Sequence, residues 1–209
     1  MKNLRLESLV LGPVQTNCYF AMNRETKELF LVDPADHAER IIERIDMLQA
    51  CPKAILLTHG HFDHIGAVRA VADHYGIPVF IEKEEAPLLE DASLNASLLM
   101  MGKAQSVRAD RLLSDGETLQ IAGFTVQVLH TPGHTAGGAC FYLPEEEVLF
   151  SGDTLFCGSV GRTDLPTGSM RELRKSLHEV LYRLPDTTMV FPGHGESTDI
   201  AFEKKYNPY

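Results

Sequence analysis

The stretch Thr58-His59-Gly60-His61-Phe62-Asp63-His64 limits the fold more than any other part of the chain, because five of its seven side chains can hold a metal ion or a metal-bound water. Just before it, Ala54-Ile55-Leu56-Leu57 is an apolar run suited to a buried strand, and after it Ile65, Val68, Val71, Ala72 and Tyr75 recur at helical spacing. The cluster is therefore predicted to sit in a strand-to-helix loop. His59 and His61, two apart in extended chain, point to one side, whereas Asp63 and His64 enter the helix and face a neighbouring point. Two adjacent metal ions fit that arrangement.

Three later stretches repeat the device of a strand that ends in a tight, ligand-bearing turn. The strand around Val126 leads to Thr131-Pro132-Gly133-His134, Val148-Leu149-Phe150 to Ser151-Gly152-Asp153, and Met189-Val190-Phe191 to Pro192-Gly193-His194. Gly allows close backbone approach and Pro fixes its own φ, so such turns hold a side chain rigidly at the rim of a sheet. If the three strands are neighbours, their ligands converge.

The count is then five histidines and two aspartates, nitrogen and oxygen donors with no thiolate, which suits two borderline divalent ions. We assign His59, His61 and His134 to one ion, Asp63, His64 and His194 to the other, and Asp153 to both. A water between them would be acidified towards neutrality and become a hydroxide nucleophile, with the metals polarising a carbonyl oxygen. That is hydrolytic chemistry. His37 and His74 read as exposed helix-edge residues, His178 as part of a charged helix, and His130 at most orients a ligand.

Elsewhere the pattern predicts an antiparallel start: a strand over residues 3–11, then Cys18–Met22 and Leu29–Val32 around the turn at Asn23-Arg24-Glu25. Asp33-Pro34-Ala35-Asp36 reads as a loop into a helix that carries Ala38, Ile41, Ile42, Ile45 and Leu48. Pro78–Ile81, Arg111–Leu113 and Thr118–Ile121 read as strands, 170–184 and 197–205 as helices. Between them, Leu94, Leu98, Leu99, Met100 and Met101 form either a substrate-side lid or a short helix packed into the core or a subunit contact. Arg162 could meet a substrate carboxylate while Asp164 orders its loop, or the two simply tie the loop down.

At 209 residues the chain is read as one domain, 1–209, able to bury a sizeable core. Its net charge of −10 disfavours a nucleic-acid surface, which needs clustered Lys and Arg. No apolar run is long enough to span a membrane, and the amino terminus does not read as a secretory signal. Cys18, Cys51, Cys140 and Cys157 are scattered and fit reduced, packed thiols, so a cytoplasmic location is expected.

The loop Thr58 to His64, with Pro132-Gly133-His134-Thr135, Ser151-Gly152-Asp153-Thr154 and Pro192-Gly193-His194-Gly195, resembles the metallo-β-lactamase fold superfamily over essentially the whole chain. The resemblance implies an α/β fold of the αββα sandwich type, with the metal site at one edge of the two sheets, and a binuclear ligand pattern like the one assigned above. Within the superfamily the chain is most similar to single-domain glyoxalase II-like hydrolases, a likeness shared by Gly161-Arg162-Thr163-Asp164 and Asn207-Pro208. It implies a small-molecule thioester of the S-acylglutathione type as substrate, two divalent ions, zinc first with iron or manganese as alternatives, and Asp63 as a catalytic carboxylate. Full-length glyoxalase II adds a helical domain with much of its glutathione surface, whereas this chain ends fifteen residues after His194, which leaves the thiol carrier open. Lactam cleavage is disfavoured because it demands help for a nitrogen leaving group. Two competing readings are a persulfide dioxygenase with one iron on His59, His134 and Asp153, and a non-catalytic, metal-stabilised binding protein. Structural zinc sites are thiolate-rich and closed, which argues against the latter. The oligomeric state is left open.

Overall fold

A computed structural model describes residues 2–209. Its first sheet is built from β1 (Leu4–Leu11), β2 (Thr16–Asn23), β3 (Glu28–Val32), β4 (Cys51–Leu57), β5 (Val79–Glu82) and β6 (Arg111–Leu113), in that order. The first three strands are antiparallel, as expected, and β3 to β6 are parallel. Parallel neighbours need a crossover, and α1 (Ala38–Leu48), α2 (Phe62–Ile65) and α3 (Val68–Tyr75) supply two of them.

The second sheet uses β7 (Thr118–Ile121), β8 (Phe124–His130), β9 (Ala139–Leu143), β10 (Val148–Gly152), β13 (Met189–Pro192) and β14 (Thr198–Asp199), in the order β14-β13-β10-β9-β8-β7. A separate hairpin joins β11 (Leu155–Phe156) to β12 (Ser159–Val160). Short helices α4 (Ala86–Glu90) and α5 (Ser97–Met101) precede β6, α6 (Met170–Lys175) continues as π and 3-10 turns to Arg183, and α7 (Ile200–Tyr206) follows β14.

Alternation along the strands sorts the buried side chains into three layers. In β3 and β4, Leu29, Leu31, Ile55 and Leu57 face α1 and α3, while Phe30, Val32, Ala54 and Leu56 face the second sheet. Leu149 and Val190 turn the other way, onto Leu173, Leu177 and Leu181. Helix, sheet, sheet, helix is the αββα sandwich that the resemblance implied. At its centre the Phe30 ring meets Phe124 and Phe150 edge to face, with centroids 6.3 and 6.1 Å apart.

Three expectations need correction. The strands bearing the late ligands are not all neighbours: β9, absent from the sequence reading, lies between β8 and β10. Because β9 is antiparallel to both, β8 and β10 still run the same way, and β13 is parallel to β10. All three therefore end at one edge. The core-packing reading of residues 94–101 also fails, since Leu98, Leu99, Met100 and Met101 are all exposed. A five-residue helix on a long surface connection has one side to bury, and here Ser97, hydrogen-bonded to Ala92 and Gln105, takes it. Finally, Cys18 and Cys140 are packed but Cys51 and Cys157 are exposed, one at the start of β4 and one in the β11–β12 turn. Among the described residues no helix is long and apolar enough to cross a membrane.

Candidate metal centre

Seven side chains from both sheets converge where β4, β8, β10 and β13 end. β4 delivers His59 and His61 on extended chain, and α2 carries Asp63 and His64. His134, Asp153 and His194 arrive from the three turns of the second sheet. Their donor atoms fall into three overlapping groups, His59–His61–His134, His59–His64–Asp153 and Asp63–His64–His194, each with its atoms within 4.8 Å of one another. Asp153 Oδ2 lies 3.6 Å from His134 Nε2 and 3.5 Å from His194 Nε2, and Asp153 Oδ1 lies 3.4 Å from His64 Nε2. It stands between the two halves.

The chain crowds its own backbone to bring these groups together. A Cβ on Gly193 would lie 2.2 Å from Asp153 Oδ1, and one on Gly133, at φ +144, would lie 2.3 Å from Leu173 Cα. Only glycine fits either place.

Outer hydrogen bonds fix which nitrogen of each ring faces inward. A carboxylate and a carbonyl only accept, so His64 donates Nδ1–H to Asp33 Oδ2 at 2.9 Å and His134 donates Nδ1–H to the Arg162 carbonyl at 2.7 Å. Thr58 Oγ1 donates to Asp33 Oδ2 at 2.6 Å and so accepts from His59 Nδ1 at 3.1 Å. These rings are left with Nε2 lone pairs pointing into the cluster. His61 is turned the other way, with Nδ1 2.8 Å from His134 Nε2.

Within the cluster, His59 Nε2, His64 Nε2 and Asp153 Oδ1 are buried without a hydrogen-bond partner. Buried polar atoms are nearly always satisfied, and an orphaned set that converges from oriented rings is the donor set of a metal site. The residues present fit two divalent ions.

The two halves differ in charge. Burial, followed by the rings of His64 and His134, pushes His59 well below the ordinary imidazole range; burial and His134 push His61 to about 3. Burial opposes charge on His64 too, but Asp63, Asp153 and Asp33 outweigh it and hold it well above that range. His194 is likewise raised, burial being outweighed by Asp63 and Asp153. Asp63 and Asp153 stay low, because His64 and His194 overcome the burial that would favour their neutral forms.

Several supporting residues were not singled out in the sequence. Asp33, buried just past the end of β3, ties His64 to the Thr58–His59 pair, and its Oδ1 also accepts from the Thr58 N–H at 2.8 Å. Its place directly after an apolar strand matches the other ligand turns and was the available signal. Glu85, also buried, accepts from Gly60 N–H and Gly137 N–H, both at 2.9 Å, and so links the His59–His61 loop to the His134 turn. Within Glu82-Lys83-Glu84-Glu85 nothing local separates it from a solvated glutamate. Asn17 and Tyr19 donate to the Pro192 carbonyl at 3.0 and 2.7 Å and brace the His194 turn.

Around this floor opens a cavity of about 370 Å³, walled by Val14, Phe62, Met100, Phe156, Leu165 and Arg162. Arg162 is exposed and forms a two-pronged pair with Asp164, at 2.6 and 2.8 Å. His130 accepts or donates no contact with the cluster but holds the Ala136 carbonyl at 2.9 Å through Nε2. Lys204 pairs with Asp186, and Lys205 lies over Tyr206, both away from the cavity.

Comparison with known proteins agrees with this geometry. The family model described as "Metallo-beta-lactamase superfamily" matches residues 11–194. A probable metallo-hydrolase of Bacillus subtilis, YqgX, is 38% identical, with 99% of this chain and 97% of the relative covered. The hydroxyacylglutathione hydrolase GloC of Haemophilus influenzae is 36% identical, with 99% and 98% covered. Among solved structures, BLEG-1, a B3 metallo-beta-lactamase, superposes with a TM-score of 0.94 at 45% identity, 98% of each chain covered. TTHA1623 in a di-iron-bound form gives 0.86 at 41% identity, with 97% of this chain and 98% of that one. The converging His and Asp donors, the sandwich that aims them and a family match that spans the cluster make this chain a metallo-hydrolase belonging to the metallo-beta-lactamase superfamily.

Proposed function

We propose that the protein is a binuclear thioester hydrolase acting on small S-acyl thiols of the S-acylglutathione type. The observation that carries this reading is what the cavity lacks beside its metal floor. Its walls are Val14, Phe62, Met100, Phe156, Leu165 and Arg162, and an arginine does not give up its proton at working pH. A nitrogen leaving group needs a proton as the bond breaks; a thiolate, with a free pKa of about 8.5, does not. Thioester cleavage suits these walls better than amide or lactam cleavage.

His59, His61 and His134 would hold one ion, Asp63, His64 and His194 the other, with Asp153 shared. Bound there, two divalent ions supply an acidified water as nucleophile and polarise the scissile carbonyl. Asp63 Oδ2 lies 3.2 Å from both Thr16 Oγ1 and His194 Nε2 and is held as a carboxylate, ready to take the proton that the attacking water loses. Water adds to the carbonyl carbon, the carbon–sulfur bond breaks, and a carboxylate and a thiol leave. The GloC relative, a hydroxyacylglutathione hydrolase, supports this chemistry.

The test is elemental analysis of purified protein together with turnover of S-lactoylglutathione and of a cephalosporin. Two ions per chain and thioester turnover well above lactam turnover are expected. One iron per chain with oxygen uptake on glutathione persulfide, or faster lactam than thioester cleavage, would overturn the reading.

A further inference from the structure

The helix α5 exposes four large apolar side chains in succession, Leu98 to Met101, with Leu99 74% exposed and Met100 55%. Packing does not explain such a helix. Met100 also lines the cavity over the metal cluster, as do Val14, itself 45% exposed, Phe156 and Leu165. Through Met100, α5 thus contributes apolar surface to the cavity where a scissile carbonyl would sit.

We propose that this lip selects the acyl side of the substrate, and that the enzyme takes thioesters of apolar, unbranched acyl groups in preference to hydroxyacyl ones. The proposal rests on the thioester reading above. Beyond the cluster itself, Arg162 is the hydrogen-bonding side chain of the wall, and two of its donors are taken up by the oxygens of Asp164. A hydroxyl placed against Val14, Met100, Phe156 and Leu165 gives up its water and gains little in return. A methylene placed there leaves water for the side chains of Val14, Met100, Phe156 and Leu165. The occupant is the acyl chain and not a second protein, because Met100 and Val14 line the same cavity as His61, Asp63 and His194. The hydrophilic thiol carrier is the part that must reach solvent.

The experiment uses the metal-loaded full chain and one carrier. kcat/KM is compared for S-acetyl-, S-butanoyl-, S-hexanoyl- and S-lactoylglutathione, and calorimetry measures binding of the uncleavable thioethers S-methyl- and S-hexylglutathione. Each buried methylene is expected to raise kcat/KM and affinity by on the order of fourfold until the chain passes the lip. S-Hexanoylglutathione is expected to exceed S-lactoylglutathione by tenfold or more. Met100→Ser and Leu165→Ser, both at the cavity wall and separately replaced, should each flatten the chain-length increment in both turnover and thioether binding. A flat series, or preference for the lactoyl ester, overturns the selection while thioester hydrolysis stands. No turnover of any member by protein that holds two metals overturns the thioester reading, and equal binding of the two thioethers would then overturn the lip as well.

Discussion

The two halves of the cluster are made from the same few residue types, yet they treat protons in opposite ways. His59 and His61 sit among other imidazoles in a dry pocket and stay neutral, His61 down to about pH 3. His64 is no less enclosed and His194 is partly exposed, but Asp63 and Asp153 lie beside both, with Asp33 beside His64, and favour the charged form. Burial alone does not set the behaviour of a ligand; the neighbouring carboxylates decide it. The first half is ready for a cation as folded, whereas an ion entering the second must displace protons.

Asp153 lies within 3.6 Å of His134 in one half and of His64 and His194 in the other, so its loss should erase the comparison. Asp153→Asn is expected to lower kcat/KM by on the order of a thousandfold or more and to reduce the metal content of both positions, read by steady-state kinetics and elemental analysis. A variant retaining both ions and near-native turnover would remove Asp153 from the shared position.

Replacing Asp33 attacks the second half through its supports. Asp33→Asn keeps the shape but removes the charge beside His64 Nδ1, and a loss of about 10- to 100-fold in metal affinity or activity is expected. Titration with a competing chelator should show the weaker-binding ion affected most. Equal weakening of both ions would mean that the Thr58–His59 link matters as much as His64.

Glu85 belongs to the first half and touches only its backbone. Glu85→Leu leaves the buried Gly60 and Gly137 N–H groups without acceptors, at a cost of about 1–3 kcal/mol each, measured by denaturant unfolding. Glu85→Gln retains one acceptor and should recover part of that stability. Unchanged stability in the leucine variant would show that the two ligand loops do not need this strut.

The smallest effect concerns protons in the chelator-treated protein. His61 has a folded value of about 3 against an ordinary 6.5, so the unfolded chain binds its proton first. Its contribution to stability is complete above 6.5 and is lost as pH falls from there towards 3. His64 and His194 are shifted up, so their contributions are present below 6.5 and are lost as pH rises through their folded values. In the metal-free protein the two trends oppose each other. His64→Gln should therefore steepen the loss of Tm between pH 7 and pH 5, while His61→Gln should make it shallower; identical slopes would contradict the contrast.

Much of the centre was legible before any coordinates. A polar ligand after an apolar strand is a local pattern, and it marked His59, His61, Asp63, His64, His134, Asp153 and His194 one turn at a time. The same pattern at Asp33 passed unread because Asp33-Pro34 also looks like an ordinary helix entry. Glu85 and α5 were illegible for a different reason: a glutamate in a charge run and a Leu/Met run next to a glycine have the same local sequence whether they face solvent, core or cavity. β9 is absent from the sequence reading: Ala139–Leu143 is wholly buried, so it lacks the alternation that marks a half-exposed strand.

What the chain order determined by itself is the set of candidate donors, because side-chain type is written residue by residue; the sandwich class came through the resemblance to the superfamily that those donors and their turns carry. Which nitrogen of each ring turns inward, and why His61 and His64 differ in proton affinity, were decided only in three dimensions. Those properties depend on Asp33, Glu85, Asp153 and the Arg162 carbonyl, partners up to 89 positions distant from the ligands they serve. Electrostatic and hydrogen-bond partners act through space, and a linear pattern does not carry distances across the fold.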